Sequence, residues 1–228
     1  MKTVGIFARH PVAGTTKTRL AASIGHDQAT QLYASFVRDL MNRFAARTGR
    51  DAEDRLLVAA TPADAAAEHW FRREVPSGCD LRFQPDGDLG DRIDWFFQST
   101  LIAEGDLAVL IGSDSPDLPD SIVDAAFSAL ATHDAVIAPA CDGGFVLVGL
   151  RKLPSGLFDG VSWSTPTTLQ EVLSAAADAG MITKLLPLWY DVDTLENLGT
   201  LAAFCHDGDA AQLCPLTAET LDRCMLWD

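Results

Sequence analysis

The sequence predicts an α/β protein: a mostly parallel sheet with helices on both faces. Three observations predict it. Short apolar runs alternate with longer stretches whose apolar residues recur at helical spacing. The run Leu107-Ala108-Val109-Leu110-Ile111 is apolar at every position, as a central strand covered on both faces should be. Finally, 228 residues that are 48% hydrophobic and 21% charged suit a single globular domain, 1–228, which can build a core without disulfides or metal.

The elements follow in order. Val4–Ala8 is a short buried strand, and a loop with Pro11 and Gly14 comes after it. Leu32, Phe36, Val37, Leu40, Met41 and Phe44 keep helical spacing, which predicts an amphipathic helix over 28–47. Leu56–Ala60 is the second strand, and Thr61-Pro62 reads as an N-cap and first helical turn. Leu81–Gln84 is the third strand, with a helix through Trp95 and Phe96 after it. Beyond the central strand come a helix over 120–131 and the strands Ala135–Pro139 and Phe145–Leu150, joined without a helix. Thr165-Pro166 caps a helix that stops at Gly180, Leu185–Leu188 is the last strand, and a short helix begins near Thr194. In such sheets ligands bind beyond the carboxyl ends of the strands, so the polar residues there carry the functional reading.

Charge narrows the partners. The net charge is −15, yet residues 1–26 hold Lys2, Arg9, Lys17 and Arg19 and no acid, so all 32 Asp and Glu lie in the remainder. An acidic body repels polyphosphate backbones and anionic membranes, so neither nucleic acid nor a membrane is an expected partner. No apolar run approaches the ~20 residues needed to span a bilayer. Val4–Ala8 is too short for an export signal and ends at Arg9. Five cysteines without C-x-x-C spacing argue against a disulfide framework or a zinc site. A cytoplasmic location is expected.

Six segments carry candidate chemistry. In the loop after the first strand, Gly14 permits close backbone approach, while Lys17 and Arg19 offer a point charge and a planar fork suited to phosphate. It is not a Walker A loop, since Thr16 stands where that loop needs Gly. After the third strand, Gln84, Gly87, Asp88, Gly90 and Arg92 surround a helix start, which is either an anion or base-edge site or an ordinary turn with Asp88 as N-cap. After the central strand, Ser113 and Asp114 lead into Ser115 and Asp117. Asp114 is the best candidate to hold a hard cation, and Asp117 reads as a cap of the next helix. Asp142-Gly143-Gly144 is either a hairpin-like turn or a place where backbone amides meet a ligand while Asp142 binds an acceptor hydroxyl or metal. Asp191 and Asp193 alternate with apolar residues and so point the same way; either could add a metal ligand, or Asp193 and Thr194 could cap a helix. Trp163 and Thr165 could line an acceptor pocket, or Trp163 could be core. There is no nucleophile elbow, and the five histidines form no ligand-like cluster.

Taken together, the motifs resemble the nucleotide-diphospho-sugar transferase superfamily of GT-A fold. The pieces are Phe-Ala-Arg-x-Pro-x-x-Gly-x-x-Lys-Thr-Arg-Leu at 7–20, Gly-Asp-Leu-Gly-x-Arg at 87–92, Gly-x-Asp-x-Pro at 112–116, Asp-Gly-Gly-Phe at 142–145, Trp-Ser-Thr at 163–165 and Asp-Val-Asp-Thr at 191–194. They look like a bacterial family described as uncharacterised that includes arsenosugar-biosynthesis-type glycosyltransferases, and are more distantly similar to molybdopterin and phospholactate guanylyltransferases. The resemblance implies a Rossmann-like three-layer α/β/α sandwich with a mixed, mostly parallel sheet. It implies that Arg9, Gly14, Lys17 and Arg19 serve the nucleotide phosphates, that Ala8 belongs with them to the nucleotide-binding residues, and that Asp114 and Asp193 hold Mg²⁺ or Mn²⁺. Candidate nucleotide-binding residues also include Gln84, Gly87, Asp88, Arg92 and Ser113. Candidate acceptor-binding residues are Gly143, Gly144, Trp163, Thr165 and Asp191, and the candidate catalytic set is Lys17, Asp114 and Asp142.

The expected function is Mg²⁺-dependent transfer of a sugar from a nucleoside-diphosphate sugar to a small acceptor, in a monomer or homodimer. The alternatives are nucleotidyl transfer from an NTP with release of pyrophosphate, and a non-catalytic nucleotide-binding module. The first loop reads Pro11-Val12-Ala13-Gly14 rather than the Gly-Gly-rich start of the guanylyltransferases, which sets nucleotidyl transfer behind sugar transfer.

Overall fold

A computed structural model describes residues 1–48, 54–206 and 212–224. Its strands are β1 (Lys2–Arg9), β2 (Asp54–Thr61), β3 (Asp80–Phe83), β4 (Leu107–Gly112), β5 (Ala135–Pro139), β6 (Phe145–Leu150) and β7 (Thr183–Leu185). The helices among the described residues are α1 (Thr18–Ile24), α2 (His26–Thr48), α3 (Ala65–Glu74), α4 (Leu89–Thr100), α5 (Asp120–Ala129), α6 (Thr168–Asp178), α7 (Leu195–His206) and α8 (Pro215–Arg223). The strands form one sheet ordered β3-β2-β1-β4-β6-β5-β7.

Only β6 runs against its neighbours β4 and β5; the other pairings are parallel. The reversal comes from the turn at Asp142-Gly143, which returns the chain without a crossover helix. As a result the start of β6 lies at the same sheet edge as the carboxyl ends of β1, β4, β5 and β7.

Alternation along the strands splits the core in two. Val109 and Ile111 of β4 face one cluster with β1, β2, α2, α5 and α7, while Ala108 and Leu110 face a second with Ile93, Phe96 and Phe97 of α4 and Val172 of α6. Each fully buried Leu, Ile or Phe contributes roughly 1.5–3 kcal/mol. Gly5 in β1 makes the second contact surface flat: a Cβ there would meet the Phe96 ring at 2.2 Å. The three-layer α/β/α arrangement expected from the sequence is therefore observed.

Several local expectations are corrected. Thr61 closes β2 and Thr61–Pro62 is a cis peptide; α3 starts later, with Asp64 accepting the Ala67 N–H as its cap. Thr165-Pro166 precedes α6 without capping it, and Thr167 is the N-cap residue. Asp117 does not cap α5, whose N-cap is Pro119; it is fully buried elsewhere. The last strand is Thr183–Leu185, followed only by an isolated bridge between Ala140 and Trp189. The first loop contains the short helix α1, and α8 follows α7; neither was expected.

Candidate functional site

The site begins where β1 ends. Gly14 takes a positive φ of 84° with open space around its Cβ position, and Lys17 takes φ 50°, ψ 46° at the start of α1. Left-handed backbone at a non-glycine costs on the order of 1–3 kcal/mol and concentrates at functional positions. Lys17 Nζ lies 2.6 Å from Asp114 and 2.8 Å from Asp193, and its side chain is only 3% exposed. Arg19 also pairs with Asp193. Burial alone would lower the Lys17 pKa, but the carboxylates of Asp114 and Asp193 override it and hold the ammonium above its ordinary value. Asp193 is likewise raised by burial and lowered further by Lys17 and Arg19, ending below the usual carboxylate range. Arg9, Thr15, Thr18, Arg19 and Tyr33 join these three in lining a cavity of about 270 Å³.

Buried polar links hold the loops in place. The Tyr33 hydroxyl accepts the Arg9 N–H at 2.9 Å and shares a hydrogen with Ser113 Oγ at 2.8 Å, so it ties the β1 loop to the β4 loop. Burial and Asp114 push the Tyr33 pKa up to about 12, which keeps it a neutral phenol. The Val192 N–H donates to the Asp114 carbonyl at 2.9 Å. Ser115 Oγ lies within donating distance of the Tyr190 carbonyl at 2.8 Å and Asp191 Oδ1 at 2.7 Å. Buried Asp117 accepts from the Tyr190 hydroxyl and from Trp189 Nε1 at 3.3 Å, its pKa raised by burial. These contacts zip the segment carrying Asp191 and Asp193 onto the segment carrying Asp114. Burial, then Asp114, push Asp191 up to about 6 despite the Ser115 bond.

Two further cavities adjoin. One of about 160 Å³ is lined by Arg19, Cys141, Asp142, Tyr190, Asp191, Asp193 and Asn197. The other, of about 230 Å³, is mostly apolar and has Asp114 and Asp191 in its wall.

The structure thus brings together Arg9, Lys17, Arg19, Asp114 and Asp193 in one cavity, Ser113 and Asp191 in the apolar one beside it, and Asp142, again with Asp191, in the cavity of about 160 Å³. Ala8 is buried in the core, and Gly14 shapes the loop without lining a cavity. Gln84 is buried and donates Nε2 to the Ala59 carbonyl, and Asp88 forms a capping box with Asp91 at α4. Gly87 packs on Asp91, and Arg92 is half-buried on α4. None of these lines the three cavities. Gly143 is a packing residue, since a Cβ there would meet the Pro166 carbonyl oxygen at 2.3 Å. The Gly144 N–H donates to Asp142 Oδ1. Trp163 packs between Phe145 and Phe158, and Thr165 Oγ1 donates to the Ser162 carbonyl. Thr194 Oγ1 accepts the Asn197 N–H, so Thr194 serves the α7 start. Sequence reasoning missed Tyr33, Ser115, Asn197 and the apolar wall residues, because each carries an ordinary structural reading.

The two carboxylates clasping Lys17 are hard oxygen donors already arranged around a cation, and so fit a divalent ion that takes its remaining ligands from phosphate and water. Among the described residues, no group of three or more His, Cys, Asp or Glu is disposed to hold a metal by itself.

Comparison places this chain. Residues 43–165 match the family described as uncharacterized proteins conserved in bacteria, DUF2064. The chain belongs to the DUF2064 family. A whole-chain match is a Desulfovibrio desulfuricans G20 crystal structure, assigned by inference as a nucleotide-diphospho-sugar transferase. It is 31% identical, with a TM-score of 0.86, over 98% of this chain and 96% of that one. The Thermotoga maritima (T. maritima) inositol-1-phosphate CTP transferase is 13% identical at TM-score 0.51, covering 97% of both chains. The Anaerococcus prevotii DSM 20548 4-diphosphocytidyl-2C-methyl-D-erythritol synthase is 12% identical at TM-score 0.54, over 90% of this chain and 98% of that one. At such identities these last two show the shared fold alone. No curated protein matches this DUF2064 chain. Among the described residues no helix is long and apolar enough to cross a membrane.

Proposed function

We propose that this DUF2064 protein is a transferase that binds a nucleoside-diphosphate sugar through its pyrophosphate and passes the sugar to a small acceptor hydroxyl. The observation that carries the reading is the Lys17 ammonium lodged between Asp114 and Asp193 in a cavity also lined by Arg9 and Arg19. Cations for a pyrophosphate and carboxylates for a hard metal share one space. The assignment of the Desulfovibrio relative supports the donor class.

Asp114 and Asp193 would hold Mg²⁺ or Mn²⁺, which when bound neutralises charge on the leaving diphosphate. Lys17 and Arg19 turn part of their pairing from the carboxylates to phosphate oxygens, and Arg9 adds a third cation. In the transfer, the acceptor oxygen bonds to the anomeric carbon as the bond from that carbon to the β-phosphate oxygen breaks. The hydroxyl proton passes to Asp191 and then to water, and the nucleoside diphosphate leaves with its electron pair. Asp191 suits this role because, at about 6, it is more basic than an ordinary carboxylate yet ionised at neutral pH. Asp142, which shares the cavity of about 160 Å³ with Asp191, orients the acceptor hydroxyl from that side.

A second reading, nucleotidyl transfer, is favoured by the fold shared with the T. maritima CTP transferase. Product analysis separates them. A panel of nucleotide sugars and NTPs is incubated with Mg²⁺ and a mixture of small hydroxyl and phosphate acceptors. Nucleoside diphosphate as product supports sugar transfer, and pyrophosphate supports the second reading. Nucleotide binding that survives Asp114→Asn, with turnover in neither protein, would replace both by a non-catalytic binding module.

A further inference from the structure

We infer that the acceptor carries a compact apolar group, which seats in the chamber beside Asp114. The word acceptor rests on the transferase reading; the chamber's chemistry does not.

The chamber measures about 230 Å³ and lies among the ends of β1 and β4, the start of β6 and the first turns of α4. Phe7, Leu89, Ile93, Phe145 and Val148 supply apolar wall. An apolar cavity of about 150 Å³ accommodates benzene. This one therefore takes a substituted single ring or a branched chain of similar bulk. Asp114 lines both this chamber and the phosphate cavity, so the two spaces meet at that carboxylate.

Hydrogen bonding decides what kind of group fits. The β4 wall is committed to the sheet: Leu110 pairs with Val148, Ile111 with Leu147, and Gly112 with Phe7. Ser113 Oγ is engaged by the Tyr33 hydroxyl. Of the side chains facing the chamber, the carboxylates of Asp114 and Asp191 are the polar groups left to a ligand. A nucleobase or a sugar ring would bury several donors and acceptors against two acceptor side chains and no free donor side chain, which is disfavoured. An apolar body bearing one hydroxyl meets every requirement: the body fills the chamber and the hydroxyl donates to a carboxylate. Gly112 helps keep the space open, since a Cβ there would meet no heavy atom within 4 Å.

Two variants probe the chamber without disturbing the core. Leu89 is 39% exposed and opens α4, where an acid is favourable, so Leu89→Glu adds a charge at low folding cost. Gly112→Val fills open space. Methyl NMR of the full chain, titrated with benzyl alcohol as probe, reads the outcome. Saturable shifts at Ile93, Leu110 and Val148, weakened at least tenfold by either variant and unaffected by nucleosides, support the proposal. Shifts that are absent or spread over the surface overturn it, as does displacement of the probe by a nucleoside. The same samples are titrated with Mg²⁺ and a nucleoside diphosphate. Diphosphate binding without probe binding overturns the chamber and leaves the transferase reading intact. Probe binding without diphosphate binding supports the chamber as an apolar site and overturns the transferase reading.

Discussion

Two sides of Asp114 are built in different ways. On one, the charged cavity is made mainly by loops: Arg9 closes β1, and Lys17, Arg19 and Asp193 lie at a helix start or beyond a strand end. On the other, the apolar chamber is made mainly by regular elements, with Phe7, Leu110 and Val148 on strands and Leu89 and Ile93 on α4. Loops cannot hold charges in place by packing alone. Here they are fastened by hydrogen bonds that Tyr33 shares with Ser113, that Ser115 donates to Asp191 and that Asp117 accepts from Tyr190. The contrast implies that the charged side depends on a few polar links, while the chamber is as rigid as the sheet.

The predictions are ways to break that contrast, from the largest effect down. Asp114→Asn removes a carboxylate from the proposed cation site and lowers turnover about 100-fold or more, equivalent to about 3–4 kcal/mol. Steady-state rates at saturating Mg²⁺ check this; a fall of less than tenfold would remove Asp114 from the chemistry.

Asp191→Asn tests the same side by pH. The folded Asp191 binds its proton more tightly than the unfolded chain does, because its pKa is raised to about 6. That contribution is fully present below the unfolded pKa and is lost as pH rises through about 6. The neutral Asn escapes the loss. In EDTA, the variant is more stable than the parent at pH 8, on the order of 2–3 kcal/mol, and equal to it near pH 3.5. Chemical denaturation at both pH values reads the difference, and a pH-independent difference would contradict the assignment.

Lys17→Ala weakens nucleotide binding by roughly 1–3 kcal/mol through loss of a charged hydrogen bond. Calorimetry showing unchanged affinity would sink the phosphate role. Tyr33→Phe removes the link between Arg9 and Ser113 and costs about 1 kcal/mol. The charged cavity should loosen while probe binding in the chamber stays within twofold; the converse would reverse the comparison.

The contrast also explains what could be read from sequence. Strands β1, β2, β4, β5 and β6 were legible because each contains a short apolar run, and Leu107–Ile111 marked the centre of the sheet; β7, Thr183-Lys184-Leu185, has no such run and was expected too late, at Leu185–Leu188. Lys17, Arg19, Asp114 and Asp193 were legible because charges directly after such runs are conspicuous. Phe7, Ile93 and Phe145 were not, since apolarity alone does not separate the wall of a cavity from core. Tyr33 sat unnoticed within the apolar stripe of α2, and its partner Ser113 is 80 residues away. Asp117 looked like a helix cap because its partners Trp189 and Tyr190 lie more than seventy residues on. The seven residues of α1 are too few to show a helical period.

The central claim is that one cavity binds a diphosphate together with a divalent cation. The most direct measurement is calorimetric titration of the best-binding member of a nucleoside-diphosphate panel, in Mg²⁺ and in EDTA, for the parent and Asp114→Asn. The account predicts that EDTA weakens binding to the parent at least tenfold and changes binding to Asp114→Asn little. Equal affinity of the parent in Mg²⁺ and in EDTA would contradict it.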